Sequence, residues 1–368
     1  MSNLAIVKPV VNQTFDVSSG QLVDFLKLCK PVTDHISGII FGVRDGYLWA
    51  HSSGRSASLA IKLGPFGYSD QFPVMVPFKL LSALLKTTNR NLIQISWTET
   101  HFTIGQAVCS CTSDIGLPFI AMPETNPIPS QAIREALPAM LKILDTDGPR
   151  NYANCALFYA SDSAFGFVAT DGFRLARSEF KATCHLPALD QICIPTTAME
   201  ILYSASKLNE EIRLGINTER DSLYVKVGDR IRAAFRLAHL KYPAYQAVIP
   251  KPVHGQLFNV KSLLAAVKQA LQTTDRSKAI AISADESGNM VLKSKIDPTG
   301  PASTYLTRLC WDFSIYGKTL AINGGFLADA LSTTKELNGQ LCIGEDMENP
   351  VKLILGPVEI ILVPIKMN

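Results

Sequence analysis

The stretch Val74-Met75-Val76-Pro77-Phe78-Lys79-Leu80-Leu81-Ser82-Ala83-Leu84-Leu85-Lys86 decides the reading of the whole chain, because its pattern returns twice. An apolar triplet of strand type ends at Pro77, and a helical run follows. Proline suits a helix start, where its missing N–H would have no partner anyway. In the second copy Ile192-Cys193-Ile194 leads through Pro195 to Met199-Glu200-Ile201-Leu202-Tyr203. In the third Leu320-Ala321-Ile322 leads through Asn323, a residue that can cap a helix, to Phe326-Leu327-Ala328-Asp329-Ala330-Leu331.

The surroundings repeat as well. Strand-type alternation follows each helix, at Leu92–Trp97, Leu223–Val227 and Val351–Leu355. A second helix is expected to open each unit, over 20–30, 138–145 and 259–271, and a strand pair follows it. In the first copy that pair is Gly38–Val43, turning at Arg44-Asp45-Gly46 into Tyr47–Trp49. The later pairs are Ala156–Tyr159 with Phe165–Val168, and Ala279–Ile282 with Met290–Leu292. The pattern predicts an α+β chain of three repeated units, each with two helices and about eight strands. Proline-rich segments at Met122–Pro127 and Ile249–Pro252 set the expected domains at 1–126, 127–251 and 252–368.

Composition agrees with such a chain. Of its 368 residues 47% are hydrophobic and 18% charged, enough apolar side chain for a core in each of three domains. No apolar run approaches the roughly 18 residues of a membrane span, and the start has no secretory pattern. The expectation is a soluble, cytoplasmic protein without a membrane partner. The eight cysteines are scattered through apolar segments with no Cys-x-x-Cys, which reads as buried thiols in a reducing compartment. A net charge of +3 is too small to announce nucleic acid by itself, so any DNA-facing charge must be local.

Three segments then resemble a known family. Val168-Ala169-Thr170-Asp171-Gly172-Phe173-Arg174-Leu175-Ala176 is similar to the Ala-Thr-Asp-Gly-His-Arg-Leu segment of the beta subunit of bacterial DNA polymerase III, the sliding clamp. Tyr242-Pro243-Ala244-Tyr245-Gln246-Ala247-Val248-Ile249-Pro250-Lys251 resembles the segment closing that family's middle domain, and Ile361–Met367 resembles its ending. The matches keep the family's order and spacing. The resemblance implies three DNA-clamp domains per chain, each with two helices on antiparallel sheets, and a six-domain ring formed by a head-to-tail homodimer. It further implies a DNA polymerase processivity factor that encircles duplex DNA without sequence specificity. Expected partners are the replicative polymerase, a clamp loader and other proteins with short clamp-binding motifs, with no cofactor or metal.

The resemblance also carries over a peptide-binding pocket: Thr170, Gly172, Phe173, Arg174, Leu175, Pro243, Ala247, Val248, Asn323, Phe326, Ile361, Val363, Pro364 and Ile365. Arg174 there either meets a peptide carboxylate or satisfies nearby backbone carbonyls. A ring that slides needs diffuse positive charge opposite phosphates rather than base contacts. Expected on the pore helices are Lys27, Lys30, Lys79, Lys86, Lys142, Lys207, Lys261, Lys268 and Lys335, against Asp24, Asp145, Glu200 and Asp329 in the same windows. A dimer contact is expected between Cys109 and Cys111 of the first domain and the region of Leu271 in the third. The sequence departs from the family at Phe173 (usually His), at Ala247 (often Arg), in the Lys30–Ile36 loop and at Thr196-Thr197, which points to altered partner motifs or weaker DNA contacts.

Enzymatic readings find little support. The six histidines are dispersed with no metal-binding spacing. Gly317-Lys318-Thr319 lacks the earlier glycine of a phosphate loop, since Asp312 stands there. Asp171 before Gly172 reads as a turn former rather than a catalytic acid. Two rivals to a working clamp are a clamp-fold scaffold without a replicative role and a hydrolase on an unrelated α+β fold.

Overall fold

The computed structural model describes residues 14–31, 38–66, 72–86, 91–113, 115–145, 149–161, 163–181, 191–219, 221–251, 254–274, 276–295, 304–312, 319–344 and 346–365. One ten-element order, strand–helix–four strands–helix–three strands, runs through them three times. Its first pass is β1 (Phe15–Ser18), α1 (Ser19–Cys29), β2 (Gly38–Arg44), β3 (Tyr47–Ser53), β4 (Ala57–Pro65), β5 (Val74–Pro77), α2 (Phe78–Lys86), β6 (Leu92–Trp97), β7 (His101–Ile104) and β8 (Ala107–Ser110). The second is β9 (Asn126–Ile128), α3 (Ser130–Ile143), β10 (Cys155–Ala160), β11 (Phe165–Thr170), β12 (Arg174–Phe180), β13 (Ile192–Pro195), α4 (Thr196–Ala205), β14 (Ile212–Ile216), β15 (Ser222–Val227) and β16 (Ile231–Arg236). The third is β17 (His254–Asn259), α5 (Val260–Leu271), β18 (Ala279–Ala284), β19 (Asn289–Lys295), β20 (Thr304–Asp312), β21 (Thr319–Asn323), α6 (Gly324–Ser332), β22 (Asn338–Ile343), β23 (Val351–Leu355) and β24 (Val358–Leu362).

Local chemistry explains these elements. Ser18 caps α1 by accepting from Gln21 N, and Asn259 and Asn323 cap α5 and α6 in the same way. α1 buries Leu22, Phe25, Leu26 and Cys29, and α5 buries Val260, Leu263, Val267 and Ala270, one stripe at helical spacing in each. The β2–β3 hairpin turns on Asp45 and Gly46, both at positive φ, the geometry that matches strand twist. One expectation fails. The helix foreseen over 138–145 is α3, which begins eight residues earlier at Ser130 and ends at Ile143, leaving Asp145 outside it. Pro138 sits in the interior of this helix. Ile133, Ala136, Leu137 and Met140 bury a continuous stripe across it, and packing against β11 and β12 holds the helix despite the missing N–H.

Contacts divide the chain into two compact units: Met1–Ile128 with Ser204–Arg236, and Pro129–Tyr203 with Leu237–Asn368. This division differs from the three-part cut expected from the prolines, because strand pairing runs across the repeats. The first unit holds a four-stranded sheet, β1-β6-β7-β8, and an eight-stranded sheet, β5-β2-β3-β4-β16-β15-β14-β9. The second holds β20-β19-β18-β21 and β13-β10-β11-β12-β24-β23-β22-β17. In each eight-stranded sheet the fourth strand of one repeat pairs antiparallel with the eighth strand of another, β4 with β16 and β12 with β24. Among the described residues no helix is long and apolar enough to cross a membrane.

Candidate peptide-binding site

The β11–β12 connection is held by its own side chains. Thr170 Oγ1 donates to Arg174 O at 2.8 Å and accepts from Gly172 N at 3.0 Å. Asp171 Oδ1 accepts from Phe173 N and Arg174 N, at 2.9 and 3.0 Å, so Asp171 is the turn former that its sequence context indicated. Gly172 stands at φ +88°, and a Cβ there would lie 1.8 Å from Arg150 Nη1, which itself donates to Asp171 O. Only glycine meets both demands. The turn throws the Phe173 ring outward, 57% exposed, with the Arg150 guanidinium 4.9 Å from its centre.

Beside this turn lies an apolar floor of Cys155, Leu157, Val168, Leu175, Cys193, Tyr242, Tyr245 and Ile361, all buried. Leu175 and Ile361 are direct cross-strand partners in the β12–β24 pair. Tyr242 Oη donates to Val168 O, and the Tyr245–Val248 turn brings Pro243, Ala247 and Val248 alongside, the last two exposed. After β24, Val363 N donates to Phe173 O at 3.3 Å, and Ile365 N donates to Ala321 O at 2.8 Å. Phe173, Val248 and Val363 are thus large apolar side chains left in solvent around a buried apolar floor. The Cys155 thiol is pushed up by its hydrogen-bonded neighbour Cys193 and by burial, and it packs the floor rather than acting as a nucleophile.

Three further expected members, Arg174, Asn323 and Phe326, gather at α6. Arg174 precedes Leu175 on β12 and therefore faces the opposite side of the sheet, where it bonds Asp171 and Asp329 carboxylates at 3.0 and 2.8 Å and Lys142 O at 2.7 Å. Its guanidinium covers the Phe326 ring at 4.3 Å. Asn323 caps α6. Arg174 thus joins α3, β12 and α6 through one backbone carbonyl and two carboxylates. Sequence reasoning missed Arg150, Tyr242, Tyr245 and Asp329 as parts of the arrangement. The two tyrosines stood inside the quoted segment, while Asp329 had been placed only among the acids of the pore helices.

The expected DNA-facing lysines are all exposed, but not all on helices. Lys27, Lys79, Lys86, Lys142, Lys261 and Lys268 are helical. Lys30 follows α1, Lys207 lies in a short 3-10 turn after α4, and Lys335 lies beyond α6. Lys27 pairs with Asp24 at 2.9 Å, and Lys142 stands 3.9 Å from Asp329. Cys109 is on β8 and Cys111 just past it, its thiol directed at Thr98 O. Leu271 ends α5 and packs against Gly324 of its own unit. Of the remaining sequence candidates, His35, Cys184, His185, Gly317, Lys318 and Met367 lie outside the described residues. Among the described residues no group of three or more His, Cys, Asp and Glu side chains could hold a metal.

The fold that these sheets and helices build is that of the DNA sliding clamps. The beta subunit of DNA polymerase III from Thermotoga maritima superposes with a TM-score of 0.82 at 16% identity, covering 96% of this chain and 100% of that one. The sliding clamp of Pseudomonas aeruginosa bound to griselimycin gives 0.82 at 16% identity, over 97% of this chain and 100% of that one. No protein-family model matches the sequence, and no curated protein matches it.

Proposed function

We propose that the chain is a non-catalytic sliding clamp: two copies close head to tail around duplex DNA and tether a polymerase and other DNA-processing proteins. The domains of this reading are residues 1–126, 127–251 and 252–368. The observation that carries it is the rule of strand pairing. Each junction between repeats joins a fourth strand to an eighth, and the strands of those two kinds left at sheet ends are β20 and β8. A β8–β20 pairing between copies repeats the same junction and removes both open edges, as a closed two-fold assembly requires. Cys109 lies on β8, and α5, with Leu271 at its end, packs against the sheet whose edge is β20.

Sliding then follows from diffuse charge. The six helices carry Lys27, Lys79, Lys86, Arg134, Lys142, Lys261 and Lys268 against Asp24, Glu135, Glu200 and Asp329, a surplus of three positive charges. Lys30, Lys207 and Lys335 add charge at helix ends. Such contacts hold phosphates without marking any base as preferred. Partner peptides dock on the floor beneath Phe173, Val248 and Val363, with Thr170, Gly172, Leu175, Pro243, Ala247, Ile361, Pro364 and Ile365 around it, while Arg174, Asn323 and Phe326 hold the frame.

Loading onto nicked circular DNA tests the reading. The protein should stay on the closed circle through a salt wash and leave once the circle is cut. Equal release from circle and line ends the clamp proposal. Deleting residues 364–368 should abolish docking of a polymerase peptide and leave the dimer intact; docking that survives the deletion removes the pocket.

A further inference from the structure

The β4–β16 junction carries a second cleft, entirely within the first compact unit. His51 and Ala60 are cross-strand partners, and Ala60 is in turn the partner of Arg232, so the three side chains form one row on one face of the sheet. Trp49 stands two residues from His51 on the same face. The segment Leu117–Ile120 lies over that face: Leu117 sits on Gly42, where an added Cβ would come within 3.1 Å of it. Arg44 and Arg232 complete the lining of a narrow, partly open cleft.

Several buried polar atoms in this cleft have no hydrogen-bond partner among the described residues. His51 is 1% exposed, yet neither ring nitrogen has a hydrogen-bond partner among the described residues, and the same holds for the buried Trp49 Nε1 and Arg232 Nε. Unsatisfied buried donors are uncommon and call for an explanation. Among the described residues no carboxylate pairs with Arg232. Its guanidinium instead lies 5.0 Å from the centre of the Trp49 ring and 5.6 Å from that of Phe119. Arg44 sits 3.7 Å over the centre of Phe119, a ring left 46% exposed, with its Nε 3.8 Å from the exposed Asp45 carboxylate.

We infer that this cleft is a ligand site for a carboxylate carried on a flat apolar body, seated against Arg232 and Trp49 Nε1 with the body laid on Phe119. Two guanidiniums and an indole N–H are donors only, so they select an acceptor with negative charge. An exposed ring between two arginines favours a ligand with its own apolar face. Burial holds the His51 imidazole neutral, with its pKa lowered to about 4, so it can supply one donor and one acceptor but no competing charge. A free aryl acid and the C-terminus of an apolar peptide share this chemistry. The site stands apart from the peptide floor of the second unit and does not depend on the clamp reading.

Titration calorimetry on the full chain tests it with benzoate, benzamide, acetyl-Ala-Ala-Phe with a free or amidated C-terminus, and inorganic phosphate. Trp49 provides a local readout through its indole N–H resonance. At least one carboxylate should bind about tenfold or more tightly than its amide and shift that resonance, and the tighter of the two carboxylates identifies the source. Arg232→Met, which keeps the stem but not the guanidinium, should weaken binding about tenfold or more. Should that variant misfold, Phe119→Ala alters only an exposed ring and should weaken the same binding severalfold. Equal binding of acid and amide, preference for phosphate, silence of every probe, or no loss in the foldable variants overturns the site.

Discussion

The two junctions between strands, β4 with β16 and β12 with β24, share one backbone plan and carry opposite chemistry. Each pairs a fourth strand with an eighth in antiparallel register, and each has a chain segment packed over one face, Leu117–Ile120 at the first and Tyr242–Ile249 at the second. At β12–β24 the covered face is apolar, and its basic groups are matched. Arg177 bonds Glu179 at 3.1 Å, and Lys352 bonds Glu359 at 3.1 Å. At β4–β16 Arg232 meets only aromatic rings among the described residues. The hydrogen-bond register sets the architecture, while the face above it is free to change, so fold and site can vary separately.

The difference breaks most sharply at Ile361. It is 1% exposed and shares its floor with Leu175, so Ile361→Ala should cost about 2–5 kcal/mol, read by urea unfolding. A loss below about 1 kcal/mol would mean that the floor is not packed as described. The first junction should show its own character in acid. Burial lowers the His51 pKa from 6.5 to about 4, so between those values the unfolded chain takes up a proton that the folded chain refuses. Its contribution is therefore complete above pH 6.5 and is lost as pH falls toward 4, by up to about 3 kcal/mol. Arg44 and Arg232 line the same cleft. Unfolding at pH 7, 5.5 and 4.5 should show this slope in the wild type and a flatter one in His51→Gln; parallel curves would remove His51 from the balance.

The sequence made the second junction legible and left the first unread. The strand–Pro–helix pattern at Pro77, Pro195 and Asn323 exposed the repeat because main-chain patterning is local. Thr170-Asp171-Gly172 was readable as a turn because Asp and Gly at that spacing have few other uses. Arg174 kept two readings because one residue of strand phase decides which face a side chain joins, and that phase appears only with the partner strand in place. The helix expected over 138–145 was placed too late for a related reason: tertiary packing sustains α3 across Pro138, which local rules keep out of a helix interior. The cleft of Trp49, His51, Phe119 and Arg232 draws on positions nearly two hundred residues apart, and no spacing along the chain announces it.

Arg174 offers a smaller effect. Its side chain is 10% exposed and joins Asp171, Asp329 and a backbone carbonyl, so Arg174→Met should cost about 1–3 kcal/mol by leaving those acceptors short. The outcome also separates frame from floor. A peptide that docks through the apolar face should bind the folded variant with less than about threefold loss, whereas a contact between Arg174 and a peptide carboxylate would cost about tenfold or more.

Phe173 should change stability least and docking most, which makes it the cleanest separation of the two. Its ring is in solvent, its backbone N–H is held by Asp171, and the Arg150 guanidinium beside the ring has its own bond to Asp171 O. Phe173→Asp removes none of the bonds that shape the turn, so unfolding should move by no more than about 0.5 kcal/mol. Yet the substitution places a charge at the rim of an apolar floor, where a docking side chain must displace water. A carboxylate there keeps its hydration and leaves the incoming group without an apolar partner. Affinity for a polymerase peptide should fall about tenfold or more in a fluorescence polarisation titration, with an unchanged unfolding curve. If affinity holds, the exposed ring is only a covering for the Arg150 stem, and docking must use the face that Arg174 and Phe326 occupy.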